Sequence, residues 1–457
     1  MERAQREDPT LQGGDESEAL PQKIYTHWDL YNIMLCLTNV MRLDKGQYKL
    51  VKALCRYSKN LYNQGLYNTR QEFFNNNRLL QYQENYRLCK ESENYRMLQA
   101  ATSQQSLKFV ERSMRSFLGL RRLYWNGDLS ERPSLPHYLP KEKGLFAVAF
   151  PKNAFNIRGG IVHLGVSRRL IKDYPDAHRQ LTFPLPPPLE GKKIQEIHIL
   201  PVYSGLYFKI KYCYRDENEI VDLDSDKYLS IDLGLDNFAT FVENATGTAI
   251  IIDGMYIKSI NQWYNKRNAE LQSIKDKHGV DGPTERQYRL AWRRGNKINE
   301  FMNQAVSYII KHCLANRIGN ILIGELGGIK QSINHGRKNN QEFVQIPYAK
   351  FKAKLESKCK RFGIRYHLVD EAYTSRTDAL AFDDIRDQPY RKTRRIKRGL
   401  FKSIAGTLIN ADVNGSLNIL RNVAGDSPAK EIISRGLVNR PKRIKLAFQA
   451  RTTLELN

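Results

Sequence analysis

The chain has 457 residues, more than one hydrophobic core usually organises, so two or three domains are expected. Its 73 Lys and Arg against 48 Asp and Glu give a net charge of +25, which exceeds what solubility requires and indicates a polyanionic partner. No apolar run approaches the length of a membrane span and the polar N-terminus has no signal-peptide core, so a cytoplasmic protein is expected.

Two further features of the composition narrow the class of partner. The 25 Tyr are interleaved with basic residues, which favours nucleic acid over a membrane surface because aromatic rings stack on exposed bases. The six Cys are scattered without any CxxC pair, so neither a disulfide framework nor a zinc site is indicated. Buried, reduced thiols are the expectation.

The charge and the apolar pattern of the sequence change twice along the first part of the chain. Residues 1–22 hold six acidic side chains against two basic ones and are predicted to be a disordered tail. Residues 31–42 are apolar and β-rich. From Gly46 an apolar stripe at helical spacing appears, and a second amphipathic helix is predicted over residues 103–120. These patterns predict a helical lobe.

From about residue 133 short alternating apolar runs are broken by Gly and Pro, which predicts an antiparallel β domain. The proline-rich segment 183–191 is unsuited to a central strand, because proline cannot donate to a strand ladder. An extended surface connection is predicted there.

The second half is predicted as three meander strands followed by alternating helices and strands. This order is typical of an RNase H-like α/β core, although fold class alone does not give function. The predicted strands cover residues 227–235, 237–244, 248–254, 320–326 and 364–375, with a turn at 244–247, and the predicted helices cover 256–277, 284–316, 348–362 and 413–423.

Three acidic residues occupy chemically informative places in these elements. Asp232 lies within an apolar strand, Glu325 ends the run ILIG, and Asp412 opens a helix. Such acids are costly unless they are paired or bind a cation, and three that converge would suit Mg²⁺ or Mn²⁺. A two-ion site would activate water and stabilise the leaving 3′-oxygen. Singly, each acid has an ordinary explanation as a strand-edge acid, a turn residue or an N-cap.

At these residues the sequence resembles TnpB, the OrfB-type RNA-guided nucleases of insertion sequences, and through them the compact type V CRISPR effectors. SIDLGLDNFAT resembles the first RuvC motif of that family, ILIGEL the second and ADVNGSLNIL the third. SQQSLKFVERSMRSF and YTSRTD are similar to further family segments, and the resemblance spans roughly residues 31–423. It implies catalytic, metal-binding roles for Asp232, Glu325 and Asp412.

The resemblance implies an α/β fold with separate lobes: a RuvC-type, RNase H-like nuclease core, an N-terminal β-barrel-like wedge domain and a helical recognition lobe. The expected divisions are an acidic tail 1–22, a wedge domain 23–45 and 131–222, a recognition lobe 46–130, a nuclease core 223–375 with its third-motif helix 410–425, a basic insertion 376–409 and a basic C-terminal tail 426–457.

One departure from the family concerns zinc. The family commonly carries two CxxC pairs between the second and third acids, and the four matching positions here are Asp378, Ala381, Lys402 and Ala405, so no zinc is expected. The same region contains the basic run RKTRRIKRGLFK. It is expected to contact phosphate near the active site, with a solvated loop as the alternative. The residues chosen from it are Arg391, Arg394, Arg395, Lys397 and Arg398.

The implied function is RNA-guided DNA endonuclease activity in a bacterial or archaeal cytoplasm. A guide RNA would pair with target DNA, the protein would read a short flanking motif, and one Mg²⁺-dependent RuvC site would cut both strands, with a monomer favoured. Candidate motif readers are polar residues of the first long helix, because Asn and Gln can pair bidentately with adenine, although ordinary helix surface explains most of them. They are Tyr57, Asn60, Asn63 and Gln64.

Basic residues on the two long helices are candidates for contact with the RNA–DNA duplex, and a solvated face explains any single one equally well. They are Lys258, Lys266, Arg267, Arg293, Arg294 and Lys297. Two rival functions remain: a nuclease-inactive RNA-guided repressor, against which the three acids argue, and an RNA-independent transposase or junction resolvase.

Overall fold

The computed structural model describes residues 33–177, 181–216, 221–325, 346–386, 395–397 and 399–446. The predicted acidic tail therefore lies outside the described residues. Within them, none of the helices is both long enough and apolar enough to cross a bilayer.

The helical lobe begins at a well-defined cap. The Asp44 side chain accepts a hydrogen bond from Gln47 N at 2.8 Å and the Gln47 side chain accepts one from Asp44 N, which forms a capping box. Leu50, Leu54 and Leu61 are fully buried, so the predicted apolar stripe is confirmed. The helices are α1 (Lys45–Asn76), α2 (Tyr82–Cys89), α3 (Glu93–Met97) and α4 (Ala100–Trp125).

The predicted β domain consists of two small antiparallel sheets, with strand orders β1-β7-β6-β2 and β3-β4-β5. β1 pairs with β7 far along the chain, so the helical lobe is an insertion between strands of one sheet. The proline-rich segment contributes only the edge strand β5 and a short 3₁₀ turn, as proline requires. The elements are β1 (Ile33–Val40), β2 (Val148–Pro151), β3 (Phe155–Arg158), β4 (Ile161–Leu164), α5 (Arg168–Asp173), β5 (Leu181–Pro184), β6 (Lys193–Val202) and β7 (Tyr207–Asp216).

The second half is built on a six-stranded mixed sheet of order β12-β11-β8-β9-β10-β16. The predicted three-strand meander is confirmed, and β11 lies parallel to both β8 and β12. The elements are β8 (Asp224–Leu233), β9 (Asn237–Glu243), β10 (Ala249–Asp253), α6 (Met255–Lys277), α7 (Glu285–Ala315), β11 (Ile318–Glu325), α8 (Tyr348–Phe362), β12 (Arg365–Asp370), β13 (Arg395–Lys397), β14 (Leu400–Lys402), β15 (Leu408–Asn410), α9 (Ala411–Ala424), α10 (Asp426–Ser434) and β16 (Lys442–Ile444).

Side-chain alternation along β8 divides the core into two layers. Leu229 and Ile231 face α7 and α8, where they pack with Phe301 and Phe351. Ser230 faces the opposite layer, which is covered by α9. The sheet is therefore enclosed on both faces, as parallel pairing requires.

Two sequence predictions were wrong in extent. The strand expected over 364–375 ends at Asp370, whose side chain accepts a hydrogen bond from Ala372 N at 3.0 Å and starts a turn. The segment 426–457 was expected to be a basic tail, but residues 426–446 form α10 and β16, and β16 pairs in parallel with β10. Ala429, Ile432 and Val438 are buried in the layer under α9, and their apolar spacing was obscured by surrounding bases.

Candidate active site

Asp232 lies where strand β8 approaches helix α9 most closely. Ser230 and Ser416 exchange hydrogen bonds, each hydroxyl donating to the other residue's carbonyl at 2.8 Å. At Gly415 an added Cβ would lie 2.7 Å from Asp232 Oδ2. The small residues of the sequence NGS therefore allow the helix to lie directly against the carboxylate.

Asp412 is brought to the same place by the first turn of α9. The helix cap is Asn410, whose side chain accepts from Asp412 N at 3.0 Å and Val413 N at 3.3 Å. The ordinary explanation of Asp412 as an N-cap is therefore wrong.

The Asp412 carboxylate is held from the side by a polar chain. Asn237 Nδ2 donates to Asp412 Oδ2 at 2.6 Å, and Arg443 Nη2 donates to Asn237 Oδ1 at 2.8 Å. Arg443 also pairs with Asp253 at 2.9 Å. β16 thus fixes the orientation of a site residue through one intermediate side chain.

The carboxylates of the site repel one another, because their like charges are not neutralised. Burial, followed by the charges of Asp412 and Glu371, raises the pKa of Asp232 well above its ordinary value, and Arg395 opposes this rise. Burial and the same two aspartates raise the pKa of Tyr348, whose hydroxyl donates to Gly234 O at 2.6 Å. Asp232 and Asp412 therefore form a close acidic pair.

Glu325 does not join that pair in the described residues. Ile323 is level with Ile231 in the parallel register, so Gly324 comes level with Asp232 and Glu325 points to the other face of the sheet. Glu325 is exposed and lies near Lys352. Burial lowers the pKa of Lys352, and the charges of Glu371 and Glu325 partly oppose that fall. The predicted convergence of three acids is thus not formed, and across the described ranges no three His, Cys, Asp or Glu side chains are placed to hold an ion.

Glu371 is the residue that sequence reasoning missed. A side chain at Gly324 would collide with Glu371 Oε1, so this carboxyl group occupies the space over Gly324, level with Asp232. Oε1 is buried and has no hydrogen-bond partner among the residues described. Burial raises the pKa of Glu371 to about 7, Lys352 opposes the rise, and Asp370 adds to it. The sequence feature that could have identified Glu371 is its position one residue after β12. Parallel strands end at the same edge of a sheet, so a residue there lies close to the end of β11.

These carboxyl groups fit a hard divalent cation. The orphaned Oε1 of Glu371 and the mutual repulsion of Asp232 with its acidic neighbours are both relieved by a cation with oxygen ligands. Mg²⁺ and Mn²⁺ meet that description. Asp232 and Asp412 would hold the ion, and because no three such side chains are grouped around one point in the described residues, Glu371 and Glu325 would have to turn toward it to complete the ligand set.

The segment matching the zinc-ribbon positions is organised by a carboxylate. Asp378 is fully buried, and its Oδ1 accepts from Leu380 N at 3.2 Å and Ala381 N at 3.3 Å. Its Oδ2 accepts from Ser403 Oγ at 2.9 Å and Ile404 N at 2.8 Å. One side chain therefore joins the two turns that a zinc ion joins in a ribbon.

Two of the candidate residues chosen from the basic run are described, and both precede its Gly399 turn. Arg395 and Lys397 are exposed on β13, and Arg395 is close enough to oppose the rise in the pKa of Asp232. Arg391, Arg394 and Arg398 lie outside the described residues.

The candidate bases of α6 and α7 fall into two groups. Lys258 pairs with Asp236 at 3.0 Å, and Arg294 donates to Asn261 at 2.8 Å, so both are engaged within the protein. The exposed members of the set are Lys266, Arg267, Arg293 and Lys297. Arg267 pairs with Glu270, and Lys297 lies over the Trp263 ring at 5.9 Å.

The candidate motif readers on α1 are mostly structural. Asn63 Nδ2 donates to Leu139 O and its Oδ1 accepts from Leu139 N, both at 2.9 Å, so base reading by Asn63 stays a prediction and would require both bonds to break. Both amide atoms that would pair with adenine are used to hold a loop. Tyr57 packs on the core of the first half, Gln64 Oε1 is buried, and Asn60 is partly exposed.

Comparison with known proteins finds two described families that match separate parts of the chain. Residues 211–330 match the OrfB_IS605 family, described as "Probable transposase", and residues 348–419 match the Cas12f1-like TNB domain. A TnpB-like protein, ORF457 of the Acidianus two-tailed virus, is 26% identical over 227 residues, covering 48% of this chain and 47% of that protein. The chain thus spans about half the length of this curated relative.

A solved structure extends the likeness to most of the fold. The Cas12f1 protein in a complex with single-guide RNA and target DNA superposes with a TM-score of 0.53 at 14% identity, covering 82% of this chain and 83% of that one. This supports a multi-lobed α/β fold of the compact type V kind. The two domain matches, the viral relative and the shared fold agree in supporting a TnpB-type protein.

Proposed function

We propose that this protein is an RNA-guided DNA endonuclease whose nuclease core is of the RuvC type. The observation that carries the proposal is the meeting of Asp232 and Asp412 between β8 and α9, with the orphaned carboxyl of Glu371 beside them. The core would comprise the six-stranded sheet with α6 to α10. The β domain would be the wedge, and α1 to α4 the recognition lobe.

In the proposed mechanism each described residue has a physical task. Asp232, Asp412 and Glu371 would hold Mg²⁺ or Mn²⁺, with Glu325 joining them at the end of β11. When bound, the ions supply an activated water and stabilise charge on the leaving 3′-oxygen. Asn237 and Arg443 keep the Asp412 carboxylate in place, and Arg395 would bind the phosphate beside the site.

The partners of the proposed enzyme are a guide RNA and double-stranded target DNA. The net charge of +25 supports a polyanionic ligand. Exposed Lys and Arg side chains on α6 and α7 would contact its phosphates. Sequence would be read by RNA–DNA pairing, and a short flanking motif by the protein. Arg293 and Lys266 are the residues from which we expect a uniform loss of affinity across sequences when each is replaced by Ala.

One experiment tests the whole proposal. The protein is co-expressed with the RNA of its native locus and given a plasmid library with a randomised flanking region, in Mg²⁺ and in EDTA. We expect cuts that require RNA and metal and that enrich one flanking motif. Cutting without RNA would instead indicate a transposase or resolvase.

A second function has one observation in its favour. Glu325 stands apart from Asp232 and Asp412, and a site lacking one ligand binds nucleic acid without cutting it. RNA-dependent DNA binding with no cleavage in either Mg²⁺ or Mn²⁺ would identify the protein as a guided repressor.

The role proposed for Glu371 makes a separate prediction. We expect Glu371→Gln to weaken Mn²⁺ binding by about tenfold or more, because it removes a charged ligand from the ion. The measurement is Mn²⁺ titration of the full chain followed by electron paramagnetic resonance, which needs no cleavage. Glu356→Gln is the matched control, since Glu356 lies on α8 and pairs with Lys360 at 2.9 Å. Equal Mn²⁺ affinity for Glu371→Gln and wild type would exclude Glu371 as a ligand.

A further inference from the structure

Two cysteines far apart in sequence face each other across the β1–β7 pair. Cys36 and Cys213 are direct partners in the antiparallel register, and their Sγ atoms are 3.4 Å apart. Cys36 is exposed, whereas Cys213 is buried. The expectation that the thiols are buried is therefore wrong for Cys36.

The geometry of this pair suits a covalent bond. Directly opposed residues of antiparallel strands have Cα atoms about 4.5 or 5.5 Å apart, and disulfides span about 4.4 to 6.8 Å. The sulfur atoms must approach from 3.4 Å to about 2.05 Å for the bond to form, a short distance for two side chains that already face each other in the register.

The surroundings distinguish the two sulfur atoms chemically. The hydrogen bond between the two sulfur atoms, with help from the charges of Lys211 and His198, lowers the pKa of Cys36 to about 6. The same hydrogen bond and burial raise the pKa of Cys213. The exposed sulfur is thus the nucleophile, and the buried sulfur is placed to resolve its adduct.

We propose that Cys36 and Cys213 form a reversible redox site that reacts with small-molecule disulfides such as oxidised glutathione. The Cys36 thiolate attacks one glutathione sulfur, which forms a mixed disulfide and releases a glutathione thiolate. Cys213 then loses its proton and attacks Cys36 sulfur, which forms the Cys36–Cys213 disulfide and releases the second glutathione. Two protein thiols are oxidised and one glutathione disulfide is reduced to two thiols.

The disulfide would constrain β1, a strand at the edge of the β-domain sheet. In the sheet order β1 has β7 as its one neighbour among the described strands, and β1 leads directly into α1. A disulfide would close residues 36–213 into a ring that includes the whole helical lobe. In a reducing cytoplasm both cysteines remain thiols. Oxidation would link β1, which leads into the helical lobe, covalently to β7.

The test uses the full chain and oxidised glutathione, followed by denaturation, alkylation and mass spectrometry. We expect wild type to lose two hydrogen atoms, to keep four of its six thiols alkylable, and to give a cross-linked peptide pair containing Cys36 and Cys213. Cys213→Ser should instead retain one glutathione on Cys36. The matched control Cys55→Ser, which alters a fully buried thiol elsewhere, should behave as wild type.

A second measurement follows the strand itself. Oxidation should slow amide exchange in β1 by about tenfold in wild type and not in Cys36→Ser, because local opening of the edge strand becomes constrained. Retention of glutathione on Cys36 in wild type, or the absence of any adduct in Cys213→Ser, would overturn the proposal. Both readouts are independent of nuclease activity.

Discussion

Asp232→Asn will abolish most DNA cleavage while leaving the metal-free protein at least as stable as wild type. The loss of a metal ligand removes about 4 kcal/mol of transition-state stabilisation, which corresponds to about a thousandfold in rate. The gain arises because Asn carries no charge, so the repulsion that raises the pKa of Asp232 disappears. Cleavage rates and thermal unfolding in EDTA measure the two effects.

A variant that merely folded poorly would lose both cleavage and stability, whereas Asp232→Asn is expected to lose cleavage and keep its stability. Adding Mn²⁺ should raise the unfolding temperature of wild type and have little effect on Asp232→Asn, because the variant lacks a ligand. Asp224→Asn is the control, since Asp224 lies at the other end of β8 and pairs with Lys227 at 3.7 Å. If Asp232→Asn kept wild-type cleavage, the nuclease site would have to lie elsewhere.

Asp378→Ala will produce the largest loss of stability among the substitutions considered. Four donors on two separate turns would lose their common acceptor, a fully buried carboxylate. Leaving buried donors unsatisfied costs about 1 to 3 kcal/mol each, so we expect a loss of about 3 kcal/mol or more. Amide exchange at Ala381 and Ile404 measures it locally, which suits a multi-lobed chain that need not unfold in one step.

The same segment predicts how the protein responds to zinc. Chelators should not change amide exchange around Asp378, because its carboxylate already satisfies both turns. Asp384→Ala is the matched control for Asp378→Ala, since its exposed side chain pairs with Arg386 in the same segment. One equivalent of tightly bound zinc in the purified protein would contradict this account of the turns.

Local sequence was sufficient wherever local chemistry determines the structure. The apolar stripe that begins after Gly46 predicted α1, and the apolar run around Asp232 predicted β8. The meander and the placement of Asp232 in a strand followed from these patterns.

Tertiary register decided what sequence could not. Whether Glu325 or Gly324 lies beside Asp232 depends on a single-residue register between β11 and β8, and such a shift reverses the face of every side chain. Glu371 became a site candidate only when β12 was known to end beside β11.

Long-range contacts determine the structural roles of two further polar residues. Asn63 bonds to the backbone of Leu139, a contact between distant positions that helical spacing alone does not indicate. The buried role of Asp378 required both turns to be known together.

The place of β16 in the sheet bears on how the protein matures. Arg443 orients Asn237, which orients Asp412, although Arg443 and Asn237 are separated by 206 positions in the chain. Domains form progressively as a chain leaves the ribosome, and contacts across such separations form late. The helical lobe can fold while translation continues, whereas the carboxylates acquire their final support only after residue 443 has emerged. Under the proposed function, a nascent chain is therefore expected to bind nucleic acid before it can cut it.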